Sequence, residues 1–139
     1  MVRLDEDNIQ PAYLCGRLLA VLEQVQYVAV SPKATLIDRF YGTASTAPAS
    51  VFSRLLKGAQ AHLGKLRKEK PGAYVALQDR LAGIMGNLSG FPKVLSLEEQ
   101  GWFSLGYYHQ RAWDRSQAKA RKDKSDAASE NQEFIEDQE

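Results

Sequence analysis

The positions of the five prolines constrain the fold of this chain more than any other feature of the sequence. Proline lacks an amide proton and has a fixed φ, so it suits the first turn of a helix and damages a helix interior. Ser96 and Glu99 form a capping box shortly after the fifth proline, which lies in a turn-like segment. The other four each precede a helix-patterned stretch: Pro11, Pro32, Pro48 and Pro71. The sequence therefore predicts five helix starts.

Apolar residues recur at three- and four-residue spacing after these starts, which is typical of amphipathic helices. The pattern predicts helices at about 11–28, 31–41, 48–68 and 72–88, and from 97 onward. Ser31 is the predicted cap of the second helix and Gly42 its predicted end. We expect Gly83 and Gly86 to permit close helix contact in the fourth. Because no strand pattern competes, the expected fold class is all-α, a compact bundle of about five helices.

The composition changes at residue 114, after which apolar residues nearly vanish apart from Phe134 and Ile135. The last ten residues contain several acidic side chains and no basic one. Such a segment buries too little apolar surface to offset the entropy of ordering it. The predicted organisation is a single helical bundle over residues 1–113, then a charged helix extension and a disordered C-terminal tail over 114–139.

The overall charge is close to balance, with 18 Lys and Arg against 17 Asp and Glu. Contact with a charged partner must therefore come from local patches. The single cysteine, Cys15, has no partner for an internal disulfide and is expected in the core, which is consistent with a reducing cytosol. No apolar run approaches the ~20 residues that span a bilayer, and no signal-peptide pattern opens the chain. We expect a cytoplasmic protein without membrane contact.

The sequence offers little for catalysis or metal binding. Its two histidines, His62 and His109, stand in no paired-ligand motif and beside no cysteine or carboxylate cluster. His109 has the chemistry of a general base, but packing or partner contact is the commoner role. No serine lies in a nucleophile elbow, and no glycine-rich phosphate loop occurs. We therefore expect no enzyme activity, no metal and no cofactor.

Two basic clusters are the strongest functional signal, one between residues 54 and 70 and one between residues 111 and 124. Basic helix faces neutralise phosphates without regard to base sequence, and their affinity falls as salt rises. Ordinary solvated helix faces carry similar runs, so both interpretations stay open at this point. The candidate nucleic-acid-binding residues are Arg39, Arg54, Lys57, Lys65, Arg67, Lys68, Arg111, Arg115 and Lys119.

Aromatic side chains stand next to basic residues at two places, as in proteins that stack unpaired bases. Core packing is the commoner role of such rings, so we expect three of the four in the core. The four rings are those of Phe40, Tyr41, Tyr107 and Tyr108.

Five segments occur in a specific order along the chain. They are YLCGRLLAVLE at 13–23, DRFYGTAS at 38–45, APASVF at 47–52, LSLEEQG at 95–101 and GYYHQR at 106–111. In this order they resemble the carboxy-terminal region of the large subunit of the type I-C CRISPR Cascade complex. The resemblance covers roughly residues 10–113. Type I-C systems make a separate small subunit from this region by internal translation, and a chain that begins with methionine and holds this region resembles that product.

The resemblance implies a non-catalytic helical subunit of an RNA-guided antiviral complex. Its implied partners are the Cascade backbone and large subunits, CRISPR RNA, target DNA including the displaced strand, and further copies of itself. Its implied task is to stabilise the guide RNA–target DNA heteroduplex and the displaced strand, since base pairing reads the sequence in such complexes. Under this hypothesis the two basic clusters line one groove.

Three alternatives stay open. An excised carboxy-terminal domain of the large subunit would have the same fold. A helical adaptor that binds only proteins belongs to a different class, and it predicts that charge reversal at Lys57, Lys65 and Arg67 leaves assembly intact. An enzyme that uses His109 is the weakest alternative.

Overall fold

A computed structural model describes residues 4–31 and 36–136; the side chains of residues 36–37, 121, 125–126 and 128–136 are not part of that description. The chain forms α1 (Pro11–Val30), α2 (Leu36–Thr46), α3 (Phe52–Glu69), α4 (Pro71–Met85) and α5 (Leu97–Glu136). A short 3-10 helix, Pro48–Ser50, connects α2 to α3. Since the described ranges contain no strand, the predicted all-α class with about five helices is confirmed.

The helix starts agree with the proline positions in most cases. Pro11 and Pro71 each begin an α-helix, whereas Pro48 begins the 3-10 helix and α3 follows it. The capping box forms as predicted: the Ser96 amide donates to Glu99 Oε1 at 2.9 Å, and the Glu99 amide donates to Ser96 Oγ at 3.2 Å. The predicted start at Pro32 lies outside the described residues.

One predicted helix end is wrong, and one predicted start lies outside the described residues. Ser31, the predicted cap of the second helix, ends α1 in the left-handed conformation, with a φ of 44°, and its amide donates to the Tyr27 carbonyl at 3.0 Å. α2 does not stop at Gly42 but continues to Thr46. The physical reason is that glycine permits the left-handed conformation without requiring it, and Gly42 keeps a negative φ.

α1 is the central helix of the bundle, since the other four helices all pack against it. Its predicted apolar stripe is fully buried: Leu14, Leu18, Leu19, Leu22 and Val25. Cys15 lies in the same core, as expected, and burial raises the pKa of its thiol to about 12. The thiol therefore stays protonated and unreactive.

α1 and α5 approach each other most closely at two glycines. A Cβ on Gly16 would collide with the Phe103 carbonyl oxygen, and a Cβ on Gly106 would collide with the Tyr13 carbonyl oxygen. Because these are backbone atoms of helices, they cannot move aside as a flexible side chain does. The contact between α1 and α5 therefore requires glycine at both positions.

The close contact expected at Gly83 and Gly86 is wrong. A Cβ on Gly83 would meet nothing within 4 Å, and one on Gly86 would meet only carbonyl oxygens of the preceding turn. Helical periodicity locates these glycines on the helix but does not show which helix surface faces a neighbour.

α5 continues as a helix past residue 113 and runs to Glu136. The side chains from 128 onward, and residues 137–139 entirely, lie outside the described part of the chain. The predicted disorder of the last ten residues and the division at residue 113 therefore stay predictions. Within the described ranges, no helix combines the length and the apolar character needed to cross a bilayer.

We expect Gly106→Ala to lower the free energy of unfolding by about 3 kcal/mol, because overpacking between two rigid backbones forces α1 and α5 apart. Urea denaturation followed by circular dichroism measures this loss. Gly101→Ala is the matched control on the same helix, since a Cβ there meets nothing within 4 Å. The control should be neutral or stabilising by up to about 1 kcal/mol, because alanine favours helix more than glycine does. Equal stability of the two variants would contradict the close approach.

Candidate nucleic-acid interface

The outward face of α3 is the first basic surface. The opposite face of the helix is buried in the core through Phe52, Leu55, Ala59, Leu63 and Leu66. At about 100° per residue, four exposed basic residues share the solvent side. We call these four residues the α3 basic stripe: Arg54, Lys57, Lys65 and Lys68.

The α3 basic stripe has small residues between its cations, and acidic side chains neutralise little of its charge. The exposed residues between its two ends on the same face are small: Gly58, Ala61 and Gly64. Lys65 Nζ lies 4.0 Å from a carboxylate oxygen of Glu69, and both side chains are about half exposed, so this ion pair is weak. Among the described side chains the other three members have no ion pair. The stripe extends for about 20 Å, at about 1.5 Å of helix per residue.

Two other candidate residues lie outside this stripe. Arg67 is exposed on the flank of α3, about 100° around the helix from Lys68. Arg39 is exposed on α2, where its guanidinium carbon lies 5.5 Å from the centroid of the Phe40 ring. The first sequence cluster thus consists of the α3 basic stripe, Arg67 beside it, and Lys70, whose Nζ donates to the Val28 carbonyl at 3.1 Å.

The second basic surface follows Trp113 on α5. Arg115, Lys119 and Lys122 are exposed and recur at four- and three-residue spacing, and we call them the α5 basic stripe. Arg111, one turn earlier, is half-buried and donates from Nη1 to the Tyr107 hydroxyl at 3.4 Å. That hydroxyl donates in turn to Glu23 Oε1 at 3.0 Å. Arg111 therefore takes part in an internal contact between α1 and α5.

The two stripes lie on two different helices. Arg115 of the α5 basic stripe lines a cavity together with Glu23 and Tyr27 of α1. The groove expected from the sequence stays a prediction, since α3 and α5 both pack on α1 without substantial contact with each other.

A buried polar network supports α5 at the point where its basic extension begins. Asp114 Oδ1 accepts hydrogen bonds from Arg80 Nη1 at 3.1 Å and from Gln110 Nε2 at 3.0 Å. Gln110 Oε1 accepts a hydrogen bond from Arg17 Nε at 2.9 Å. The Arg80 guanidinium also lies 4.8 Å from the centroid of the Trp113 ring. This network joins α1, α4 and α5.

Burial raises the pKa of the Asp114 carboxyl, while the Gln110 hydrogen bond and the Arg80 charge oppose that shift. Burial also lowers the pKa of the Arg17 guanidinium. Sequence reasoning missed the network. One sequence pattern indicates this network. Gln110 and Asp114 continue the helical spacing of Phe103 and Tyr107, which places two polar residues on the buried face of α5.

We expect Arg80→Met to lower the free energy of unfolding by about 3 kcal/mol near neutral pH, because the buried Asp114 carboxylate loses its cation. The same loss raises the pKa of Asp114 further above its value in the unfolded chain. The folded variant then binds the Asp114 proton more tightly than the unfolded chain does. Its stability therefore falls as pH rises from the Asp114 pKa of the unfolded chain through that of the folded variant. Urea denaturation at about pH 7 and about pH 5 measures this dependence. Relative to the unmodified chain, the variant should lose more unfolding free energy at the higher pH.

The matched control for this measurement is Arg80→Met combined with Asp114→Asn. Since asparagine does not titrate, the extra pH dependence should disappear in the double variant. A deficit of equal size at both pH values in Arg80→Met alone would contradict a buried charge pair.

His109 has a structural partner: its Nδ1 lies 2.9 Å from the Tyr13 hydroxyl, and the two ring centroids are 5.7 Å apart in edge contact. This contact agrees with the packing role that was weighed against catalysis. Within the described ranges no group of three His, Cys, Asp or Glu is placed to hold a metal ion.

Of the four aromatic rings that stand next to basic residues, three pack in or against the core, as predicted. Tyr107 is fully buried, and Phe40 and Tyr41 pack against the core. Tyr41 also holds α2 to α5, since its hydroxyl lies 2.7 Å from Ser104 Oγ. Tyr108 is exposed.

These features define a small all-helical protein with two exposed basic surfaces on separate helices. A family model for CRISPR-associated protein (Cas_Csd1) matches residues 1–114. The match spans most of the chain, so the protein belongs to the Cas_Csd1 family of CRISPR-associated proteins, and the resemblance to a Cascade component is confirmed. The matched region includes the α3 basic stripe and ends before the α5 basic stripe. No curated protein matches the chain.

Proposed function

We propose that this chain acts as the non-catalytic small subunit of a type I-C Cascade complex. In this role it stabilises the guide RNA–target DNA heteroduplex and the displaced DNA strand through its basic helix surfaces. Its proposed partners are the backbone and large subunits, CRISPR RNA, target DNA and further copies of itself. Such a complex assembles where guide RNA and invading DNA meet, so the proposed location is the cytoplasm.

The observation that carries the proposal is the α3 basic stripe. Its four cations share one face, three of them have no ion pair among the described side chains, and all four lie within the region that matches the family. Acidic residues at helical spacing from cations pair with them on a solvent-exposed helix face and offset their charge. Among the side chains that the structure describes, Glu69 alone forms an ion pair with a member of this stripe.

Contact with the phosphate backbone suits RNA-guided recognition. Strand exchange between DNA duplex and heteroduplex is nearly balanced in energy, and protein contacts to the backbones shift it toward opening. A row of cations about 20 Å long spans several nucleotides of a single strand, and it binds them without regard to sequence. The smooth surface between the cations lets a strand lie close to the helix.

A helical adaptor without nucleic-acid contact is the second candidate function. Leu97, Leu105 and Tyr108 are exposed along one side of α5, and exposed apolar patches of this kind mark contact between proteins. The two candidate functions give the α3 basic stripe different roles. It binds phosphates in the nucleic-acid function and contacts no nucleic acid in the adaptor function.

The test removes two charges from the stripe in the full chain, as Lys57→Gln with Lys68→Gln. We expect weaker binding to single-stranded DNA, and a slope of log affinity against log salt that is shallower by about 1.4, because each phosphate contact to a single strand contributes about 0.7. Fluorescence anisotropy across a salt series measures both quantities.

The matched control also removes exposed charge, as Lys93→Gln, at a position that is neither in the stripe nor among the candidate nucleic-acid-binding residues. The control should keep the salt slope of the unmodified chain. If the stripe variant and the control bind alike, the adaptor is the better function.

A further inference from the structure

The part of α5 that continues past Asp114 carries its charges in a definite order along one face. At about 100° per residue, the three cations of the α5 basic stripe share this face with three acidic positions farther along the same helix. These acidic positions are Asp126, Glu130 and Glu133. The first half of the face is therefore basic, and the second half is acidic.

This row of charges is turned away from the core side of α5. The buried residues Tyr107 and Gln110 lie about 130° around the helix from the row, and all three members of the α5 basic stripe are exposed. The exposed residues on one flank of the row include Ser116, Ala120 and Ala127. These side chains are small enough for a second helix to approach the row closely.

The two halves of the row cannot neutralise each other within one chain. α5 is one continuous helix to Glu136, and Glu133 lies about 27 Å along its axis from Arg115. That separation exceeds the Debye length of about 8 Å at physiological salt. Among the described side chains, no member of the α5 basic stripe has an ion pair. Each half of the row therefore needs a charged partner from another molecule.

We propose that two copies of this chain pair through the α5 extension as antiparallel helices, so that the basic half of each row lies against the acidic half of the other. The inference rests on the proposed function in one respect, that copies of the chain meet, and it names the surface through which they do so.

The charges match in one register, in which residue 124 of both copies lies at a two-fold axis. Each cation of one copy is then level, to within one residue, with an acid of the other, and the symmetry makes every match twice. A parallel pair would set like charges against each other and is disfavoured. Asp123, on the same face, falls near the axis beside Lys122 of both copies. The matched positions are Arg115 with Glu133, Lys119 with Glu130, and Lys122 with Asp126.

This register keeps the two bundles apart. Asp114, a buried residue at the end of the bundle, is level with residue 134 of the second copy, so each bundle lies beyond the tip of the other helix. The paired segment is about 30 Å long, which is small for a stable protein interface. The contact should therefore be weak between free chains and stronger where one assembly holds several copies close together.

A nucleic-acid strand suits this face less well than a second copy does. A strand that follows the row would pass from the cations onto the acidic half, which repels phosphates. Pairing between copies covers the α5 basic stripe and leaves the α3 basic stripe exposed for phosphates.

A charge exchange between the two halves tests the pairing in the full chain. One variant makes the basic half acidic, as Arg115→Glu with Lys119→Glu. The other makes the acidic half basic, as Glu130→Lys with Glu133→Lys. Sedimentation equilibrium over a concentration series, at about 0.05 M and about 0.5 M salt, measures self-association.

We expect each variant alone to self-associate at least about tenfold more weakly than the unmodified chain at low salt, because attraction is replaced by repulsion. An equimolar mixture of the two variants should recover the affinity of the unmodified chain, since every match is restored with reversed sign. The matched control, Arg121→Glu with Lys124→Glu, makes the same change in net charge on the opposite side of the helix. The control should associate like the unmodified chain, and association should weaken at the higher salt.

Three outcomes would overturn the pairing: no self-association of the unmodified chain at low salt, no recovery in the mixture, or an equal loss in the control. The Lys57→Gln, Lys68→Gln variant of the α3 basic stripe separates this inference from the proposed function. It should self-associate normally while it binds single-stranded DNA more weakly, so each proposal can fail without the other. Loss of self-association in that variant would place the contact between copies on α3 instead.

Discussion

The close approach of α1 and α5 at Gly16 and Gly106 is the constraint on which the rest of the structure depends. At both positions the backbone of one helix occupies the space that a Cβ on the other would need. This contact makes α1 a buried central helix, with Tyr13 and Tyr107 enclosed at the same interface. The remaining helices pack around α1, and α3 and α5 have no substantial contact with each other.

That arrangement has a functional consequence. Two basic surfaces on opposite walls of one groove would enclose a single strand, whereas two separate surfaces can contact different strands or different parts of one assembly. The α3 basic stripe lies within the region that matches the family, and the α5 basic stripe extends beyond that region. We therefore place the proposed main nucleic-acid contact on α3 and regard the Asp114 network as the support from which the α5 extension continues.

Local sequence signals were sufficient for most of the fold. The apolar spacing of α1 and the Ser96 capping box depend only on residues close in the chain, and the structure agrees with both. Features that depend on spatial neighbours were not predictable in the same way. Gly16 matters only because Phe103 lies opposite it, and the Asp114 network requires knowledge that α4 brings Arg80 to α5. The basic residues were found from sequence, but their separation into two surfaces was not.

The most direct measurement of the proposed function is the permanganate reactivity of unpaired thymines in target DNA bound to reconstituted Cascade, with and without this chain. Permanganate oxidises thymines that are not stacked in a duplex, so it reports strand opening in the assembled complex. A subunit that stabilises the displaced strand should increase the reactivity of that strand, and its omission should return the target toward the closed duplex. Equal reactivity in the two complexes would contradict a role of this chain in holding the opened DNA.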